Sequence, residues 1–158
     1  MQIFSGHDGA VNDIAFSGDG SLLATASSDG TAQLWDVRSG EALRVFSGHS
    51  GPVLSVSLNG DGSRLATGSV DRTIKLWDTT TGQVRRTFLG HTSTVSAVAF
   101  APDGMSIASG SADRTARINA LEGVKDLYSR ALQLVTRPLT ADECTQYLQG
   151  RPCLMFDP

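Results

Sequence analysis

The stretch Leu22-Leu23-Ala24-Thr25-Ala26-Ser27-Ser28-Asp29-Gly30-Thr31-Ala32-Gln33-Leu34-Trp35-Asp36 decides the fold, because it returns 42 residues later over Arg64–Asp78 and again over Ser106–Ala120. Three Gly-His pairs share that period, Gly6-His7, Gly48-His49 and Gly90-His91. Each His is followed 22 residues on by an Asp: Asp29, Asp71 and Asp113. Two units end in Trp-Asp, at Trp35-Asp36 and Trp77-Asp78, whereas the third reads Ile118-Asn119-Ala120 and has lost both the aromatic and the acid. A period in the low forties made of short alternating apolar runs describes tandem small sheets, each completed against its neighbours.

Within a unit the order of signals is constant. An alternating run opens it, Val11–Phe16, Val53–Leu58 or Val95–Phe100, with one strongly apolar face. A turn follows at Gly18-Asp19-Gly20, Gly60-Asp61-Gly62 or Pro102-Asp103-Gly104, where Gly supplies positive φ and Asp bonds its own backbone. A second strand from Leu22 to Ser27 and its equivalents meets a tight turn at Asp29-Gly30, Asp71-Arg72 or Asp113-Arg114. A third strand then runs to Trp35, Trp77 or Asn119. Ser39-Gly40 or Thr81-Gly82 leads to a short fourth strand, Leu43 to Phe46 or Val84 to Phe88.

These units resemble the WD-repeats of the β-propeller family over about three quarters of the chain. The resemblance implies an all-β fold: a partial, three-blade WD-repeat propeller over residues 1–120, with a short C-terminal helical extension over 121–158. The repeats fall at about 6–47, 48–89 and 90–120, and residues 1–5 have the sequence position of the fourth strand of a preceding blade. From about Leu121 the period turns helical. Leu127, Ala131 and Leu134 share one face with Tyr128, Leu132 and Val135 beside them, and Pro138 stops the run. Thr140-Ala141-Asp142-Glu143 reads as a capping box opening a second short helix with Cys144, Tyr147 and Leu148 on its apolar face. The stretch Leu134–Leu148 is similar to the tail closing many bacterial WD-repeat proteins, which often carry a signalling ATPase or kinase domain upstream. The tail is expected to cap the third blade, with a docking role for another protein as the alternative.

In the resembling family the His bonds the Asp of its repeat, a Ser or Thr of the second strand, and the Trp indole. Carried over, the sets are His7, Asp29 and Trp35; His49, Asp71 and Trp77; and His91 with Asp113. The hydroxyl is Thr25 or Ser27, Thr67 or Ser69, and Ser109 or Ser111, because residues two apart share a strand face. These sets read as scaffold, since each buried polar group finds a partner. A shared metal is not expected, because one His per blade stands too far from the next for ligand bonds of about 2.0 to 2.1 Å. Although Ser, His and Asp recur together, no Gly-x-Ser-x-Gly elbow is present, nor a Gly-x4-Gly-Lys-Ser/Thr phosphate loop. No cofactor is expected.

With 158 residues, 40% hydrophobic content and a formal charge of −3, the chain has the composition of an ordinary globular domain. Without a basic stripe, neither nucleic acid nor an anionic membrane is an expected partner. With neither a signal-peptide pattern nor a run of spanning length, a cytoplasmic setting is expected. Cys144 and Cys153 read as buried thiols rather than a zinc set or a bridge.

A protein partner is expected on the rim where the Gly-His loops and Asp turns emerge: Ala10, Asn12 and Ser28; Pro52, Leu54 and Val70; Thr94, Ser96 and Ala112. Arg72 and Arg114 flank the same turns. Three blades leave two outer faces open, which points to one of two arrangements. Either the chain is the C-terminal part of a larger WD-repeat sensor or scaffold, or copies assemble head to tail, residues 1–4 of one completing the third blade of the next in a six- or nine-bladed ring. An enzyme with an axial-funnel site is a remote third reading, disfavoured because the first strands begin with Asn12, Leu54 and Ser96 rather than with carboxylates or His.

Overall fold

A computed structural model describes residues 2–121, and the two tail helices and both cysteines expected from sequence lie outside that range. The described residues hold eleven strands: β1 Val11–Phe16, β2 Leu22–Ser27, β3 Thr31–Asp36, β4 Ala42–Ser47, β5 Val53–Leu58, β6 Arg64–Ser69, β7 Ile74–Asp78, β8 Val84–Phe88, β9 Val95–Phe100, β10 Ser106–Ser111 and β11 Ala116–Ala120. They form three antiparallel sheets in chain order, β1-β2-β3-β4, β5-β6-β7-β8 and β9-β10-β11, and no helix occurs among the described residues. The turn glycines Gly20, Gly62 and Gly104 have φ of 72°, 72° and 67°. At the next turn Gly30 (φ 87°) is followed in the later repeats by Arg72 (71°) and Arg114 (69°), two L-residues held in the left-handed region.

The first strand of each sheet is not a plain alternating strand. Val11 faces Ser27 and Asp13 faces Ala26, so Asn12 is an extra residue. Leu54 and Ser96 are skipped in the same way. This bulge turns Val53 and Val56, three residues apart, onto one face, which simple period-two reading does not predict. Both are buried, together with Leu58, against Ala24, Ala26, Ala32, Leu34 and Phe46 of the preceding sheet. The second junction repeats the pattern, with Val95, Val98 and Ile107 on Ala66, Ile74, Leu76 and Phe88. Small residues on one face accept branched ones from the next, so each sheet is stabilised by its neighbour rather than by its own interior.

Polar bonds fix the junctions. Asp13 Oδ2 accepts the Ser55 hydroxyl at 2.7 Å and Val56 N–H at 3.0 Å, and Ser55 Oγ in turn accepts Val98 N–H at 3.1 Å. The relay passes from sheet to sheet along the innermost strands and stops at Ala97, the third equivalent of Asp13. On the outer side, Arg44 reaches from β4 to Thr79 O at 3.1 Å and Thr81 O at 3.3 Å. Its equivalent on β8, Arg86, reaches Ala120 O at 3.3 Å with its guanidinium 4.8 Å from the Phe88 ring centre.

Residues 2–5, read from sequence as the position of a preceding blade's fourth strand, form no strand among the described residues. Their side chains nonetheless lie on the first sheet as fourth-strand side chains lie on the next. Phe4 meets Trp35 edge-on at 5.8 Å as Phe46 meets Trp77 at 5.6 Å, and Gln2 Nε2 donates to Ser39 O at 3.3 Å as Arg44 does to Thr81 O.

Candidate functional site: the repeated polar sets and the rim

Each Gly-His pair sits where the chain enters a first strand, and in the first two units its glycine lies against the Trp two strands away, whereas Gly90 lies against Arg117. A Cβ on Gly48, whose φ is 153°, would stand 3.3 Å from Cη2 of Trp77, so only a glycine backbone leaves the indole its place. The ring is then 1% exposed and lies edge-on to His49 at 6.2 Å.

The hydroxyl left open by the sequence is Thr25 in the first sheet and Thr67 in the second. Trp77 Nε1 donates to Thr67 Oγ1 at 2.8 Å, and Thr67 Oγ1 lies 2.7 Å from His49 Nε2. The first sheet matches, at 3.0 Å from Trp35 to Thr25 and 2.7 Å from Thr25 to His7. Because the indole only donates, Thr67 accepts from it. The ionised Asp71 only accepts, so His49 Nδ1–H donates to Asp71 Oδ2 at 2.7 Å, and Nε2 of the neutral ring accepts from Thr67. In the third sheet Ser109 takes the place of threonine, 2.9 Å from His91 Nε2, and Asn119 stands where the Trp would be.

Ser27, Ser69 and Ser111 have a different task. Their hydroxyls accept the N–H of Asp29, Asp71 and Asp113, each at 3.1 Å, and pin the turn that presents the carboxylate. Sequence reasoning missed Thr31, Thr73 and Thr115, two residues after each Asp. Their hydroxyls donate to the carboxylates at 2.6, 2.7 and 2.7 Å. The signal was present, since a Thr recurs there with the same 42-residue period.

Electrostatics follow from this donor count. Burial pushes Asp71 up, but hydrogen bonds from the Thr73 hydroxyl, His49 and the Thr73 and Ser50 N–H groups outweigh it and hold the carboxyl at about 2. The same balance holds Asp29 well below the usual carboxylate range. For Asp113 the Thr115 hydroxyl is the largest influence, opposed by burial and helped by His91 and Thr92 N–H. Burial keeps His49 below its ordinary 6.5 against the raising pull of Asp71. Among the described residues no buried side-chain nitrogen or oxygen lacks a partner, and no group of three His, Cys, Asp or Glu stands together as metal ligands would. The buried donors and acceptors of these sets are thus partnered inside the fold.

The rim residues divide. Asn12 donates to Val53 O at 2.8 Å and shares a bond with Ser28, tying the bulge to the next sheet, and Ser96 Oγ bonds Gly110 O at 3.3 Å. Pro52, Leu54 and Thr94 are half-buried. Pro52 O and Thr94 O accept the N–H groups of Val70 and Ala112, as Ala10 O accepts that of Ser28, so each pair of rim loops is laced together. The exposed rim side chains free of such duty are Ala10, Val70 and Ala112, with Val70 at 41% exposure.

Tandem antiparallel sheets packed face to face, each holding a His–Asp–hydroxyl set with an indole in two of three, define a repeat protein of the β-propeller class. The family model described as "WD domain, G-beta repeat" matches residues 1–36, 40–78 and 82–118, and the chain belongs to that WD-repeat family. Each matched unit begins before the fourth strand of one sheet, or at residue 1, and ends in the third strand of the next. Relatives include the guanine nucleotide-binding protein subunit beta of Nicotiana tabacum, 43% identical over 44 residues, covering 28% of this chain and 12% of that protein. The small ribosomal subunit protein RACK1y of Oryza sativa subsp. japonica is 53% identical over 38 residues, 24% of this chain and 11% of that one. A solved structure described as "Crystal structure of RRP9 WD40 repeats" matches with a TM-score of 0.72 at 30% identity, over 76% of this chain and 38% of that chain. The chain thus spans about a tenth of the curated relatives' length and well under half of the solved neighbour.

Proposed function

We propose that this chain is a noncatalytic protein–protein interaction scaffold, working in the cytoplasm as the C-terminal part of a larger WD-repeat sensor or signalling protein. The observation that carries the reading is the inward commitment of the polar sets. The side chains that could do chemistry are spent on each other, while the rim varies between repeats on a constant frame. Relatives named as a G-protein subunit and a ribosomal subunit protein are components of assemblies, which supports a partner-binding role. The larger context is supported by the exposure of Val11, Ile14 and Phe16 on the first sheet, positions whose equivalents are buried at the internal junctions. In that context the partner is a protein.

Two measurements test it. An antibody raised to residues 2–121 should detect a native polypeptide longer than 158 residues; a band at the mass of the 158-residue chain would sink the larger context. Rim variants Val70→Glu and Ala112→Glu should abolish capture of the partner that the wild-type chain retrieves from its own cell extract, with folding unchanged. Undiminished capture would remove the rim from the proposal.

A further inference from the structure

We propose that Asn59-Gly60, in the turn between β5 and β6, is a covalent modification site: when the turn opens, the dipeptide closes into a succinimide and hydrolyses to aspartate or isoaspartate, which loosens the junction of the first and second sheets. This goes beyond the scaffold reading and stands apart from it. The chain has three asparagines, and Asn12 and Asn119 are followed by Asp13 and Ala120, whose Cβ atoms crowd the nitrogen that would attack. Asn59 alone precedes a glycine, and its equivalents Ser17 and Ala101 carry no amide.

The chemistry consumes only water. Gly60 N gives up its proton to solvent base and bonds to the side-chain carbonyl carbon of Asn59. The bond from that carbon to Nδ2 breaks, and the nitrogen leaves as ammonia after taking a proton from water. A further water then adds to either carbonyl of the imide ring. Opening on one side leaves aspartate; opening on the other leaves isoaspartate, whose main chain runs through the former side chain and is a carbon longer.

The folded turn ties down both reacting residues. Asn59 is 8% exposed, its Oδ1 accepts Arg64 N–H at 2.8 Å, and its Nδ2 donates to Ser63 Oγ at 3.2 Å. Its backbone is held as well, with Asn59 N–H donating to Arg64 O at 3.1 Å and Asn59 O accepting Gly62 N–H at 3.0 Å. Gly60 O accepts Gly18 N–H at 3.0 Å, so the residue that supplies the nucleophile is fastened to the first sheet. For Gly60 N to close on the amide carbon, the side chain must leave Arg64 and Ser63. The rate therefore follows the opening of the turn.

The fold does not require this glycine. Among the described residues a Cβ on Gly60 would meet nothing within 4 Å, and its φ lies outside the left-handed region. Its neighbours differ: a Cβ on Gly18 would stand 2.6 Å from Gly60 O, and Gly62 has a φ of 72°. Nor does the product fit the place that held the amide. Ser63 Oγ already gives its proton to Asp61 Oδ1 at 2.5 Å, so a carboxylate oxygen in place of Nδ2 faces a hydroxyl with no proton to spare and a second carboxylate behind it. In isoaspartate the lengthened main chain also carries Gly60 O away from Gly18 N–H, and the junction loses that bond.

Trypsin releases Asn59 in the peptide Val45–Arg64, which holds no other amide side chain, so the mass gain of an amide turned to an acid reports this residue alone. At mildly alkaline pH the folded full chain should convert Asn59 roughly ten- to a thousandfold more slowly than the same chain in guanidinium. Gly60→Ala should slow conversion in both states without lowering the melting temperature. Gly18→Ala presses on Gly60 O from the first sheet and should bring the folded rate toward the unfolded one; Ser63→Ala, which frees Nδ2 and leaves the junction alone, should do the same if Gly18→Ala does not fold. Hydrogen exchange at Gly18 N–H should quicken in converted wild type and stay unchanged in Gly60→Ala held for the same time. A folded chain as fast as the unfolded one, or more than about a thousandfold slower, overturns the inference. So do Gly18→Ala and Ser63→Ala both at the wild-type rate, or unchanged exchange at Gly18 after conversion, and each of these results leaves the scaffold proposal standing.

Discussion

Replacing Thr67 by Val isolates the hydroxyl at the centre of the second polar set without changing its volume. Thr67 is fully buried, Trp77 is 1% exposed, and the His49 side chain is 1% exposed. The methyl of Val can neither accept the indole N–H that now bonds at 2.8 Å nor donate to His49 Nε2 at 2.7 Å, so two buried polar atoms lose their partner together. Each unsatisfied group costs about 1–3 kcal/mol, giving roughly 2–6 kcal/mol for the pair. For a chain of this length that is a fall in melting temperature of roughly 6–18 °C. Thr67→Ser keeps the hydroxyl and loses a methyl, for about 1 kcal/mol. Ser109→Ala orphans only His91 Nε2, since no indole is present there, for about 1–3 kcal/mol. Urea unfolding followed by the fluorescence of Trp35 and Trp77, at one fixed protein concentration, reads all three. The expected order of loss is Thr67→Val first, Ser109→Ala second and Thr67→Ser last. A Thr67→Val variant within about 0.5 kcal/mol of wild type, or no worse than Thr67→Ser, would refute the reasoning, because the hydroxyl would then hold nothing.

Acid should destabilise the protein in two windows. Both His49 and Asp71 have folded-state values below their ordinary ones, so the stability each contributes is present above its unfolded value and is lost as pH falls toward the folded one. A pH series of melting temperatures should therefore begin to fall below about pH 6.5 and fall again between about pH 4 and 2. Asp71→Asn should make the second limb shallower while Asp29 and Asp113 keep the rest of it, and a melting temperature that rises from pH 7 to pH 5 would reverse the sign assigned to His49. Arg72→Gly places at φ 71° the residue that the first repeat already uses there, and should stabilise by about 1 kcal/mol in calorimetry; a loss of stability would mean that the Arg side chain outweighs its backbone strain. Asp13→Ala strips the acceptor from Ser55 Oγ, Val56 N–H and Ile14 N–H, and should cost about 2–4 kcal/mol, with hydrogen exchange quickening at Val56. Equal protection of Val56 in variant and wild type would show that the relay between sheets is not a holding contact.

The sequence by itself determined what repeats. The 42-residue period, the turn glycines and the alternating runs fixed three small antiparallel sheets and their strand order, since these depend on local backbone preference and on which face is apolar. It also brought His7, His49 and His91 to their Asp partners through the family resemblance. Side-chain period two made Thr25 and Ser27 equivalent on paper. The structure separated them: Thr25 faces the indole across the strand, whereas Ser27 lies at the turn and caps Asp29 N–H. The bulges at Asn12, Leu54 and Ser96 were equally invisible, because an extra residue is defined only against a partner strand, and they decide that Val53 and Val56 share a face. Only packing reveals that Asp13 and Ser55 relay one sheet to the next, that Arg44 and Arg86 reach across on the outside, and that Phe16 and Ile118 are left exposed at positions buried elsewhere. A residue's place within its unit is written along the chain; what it touches is set by the unit packed against it.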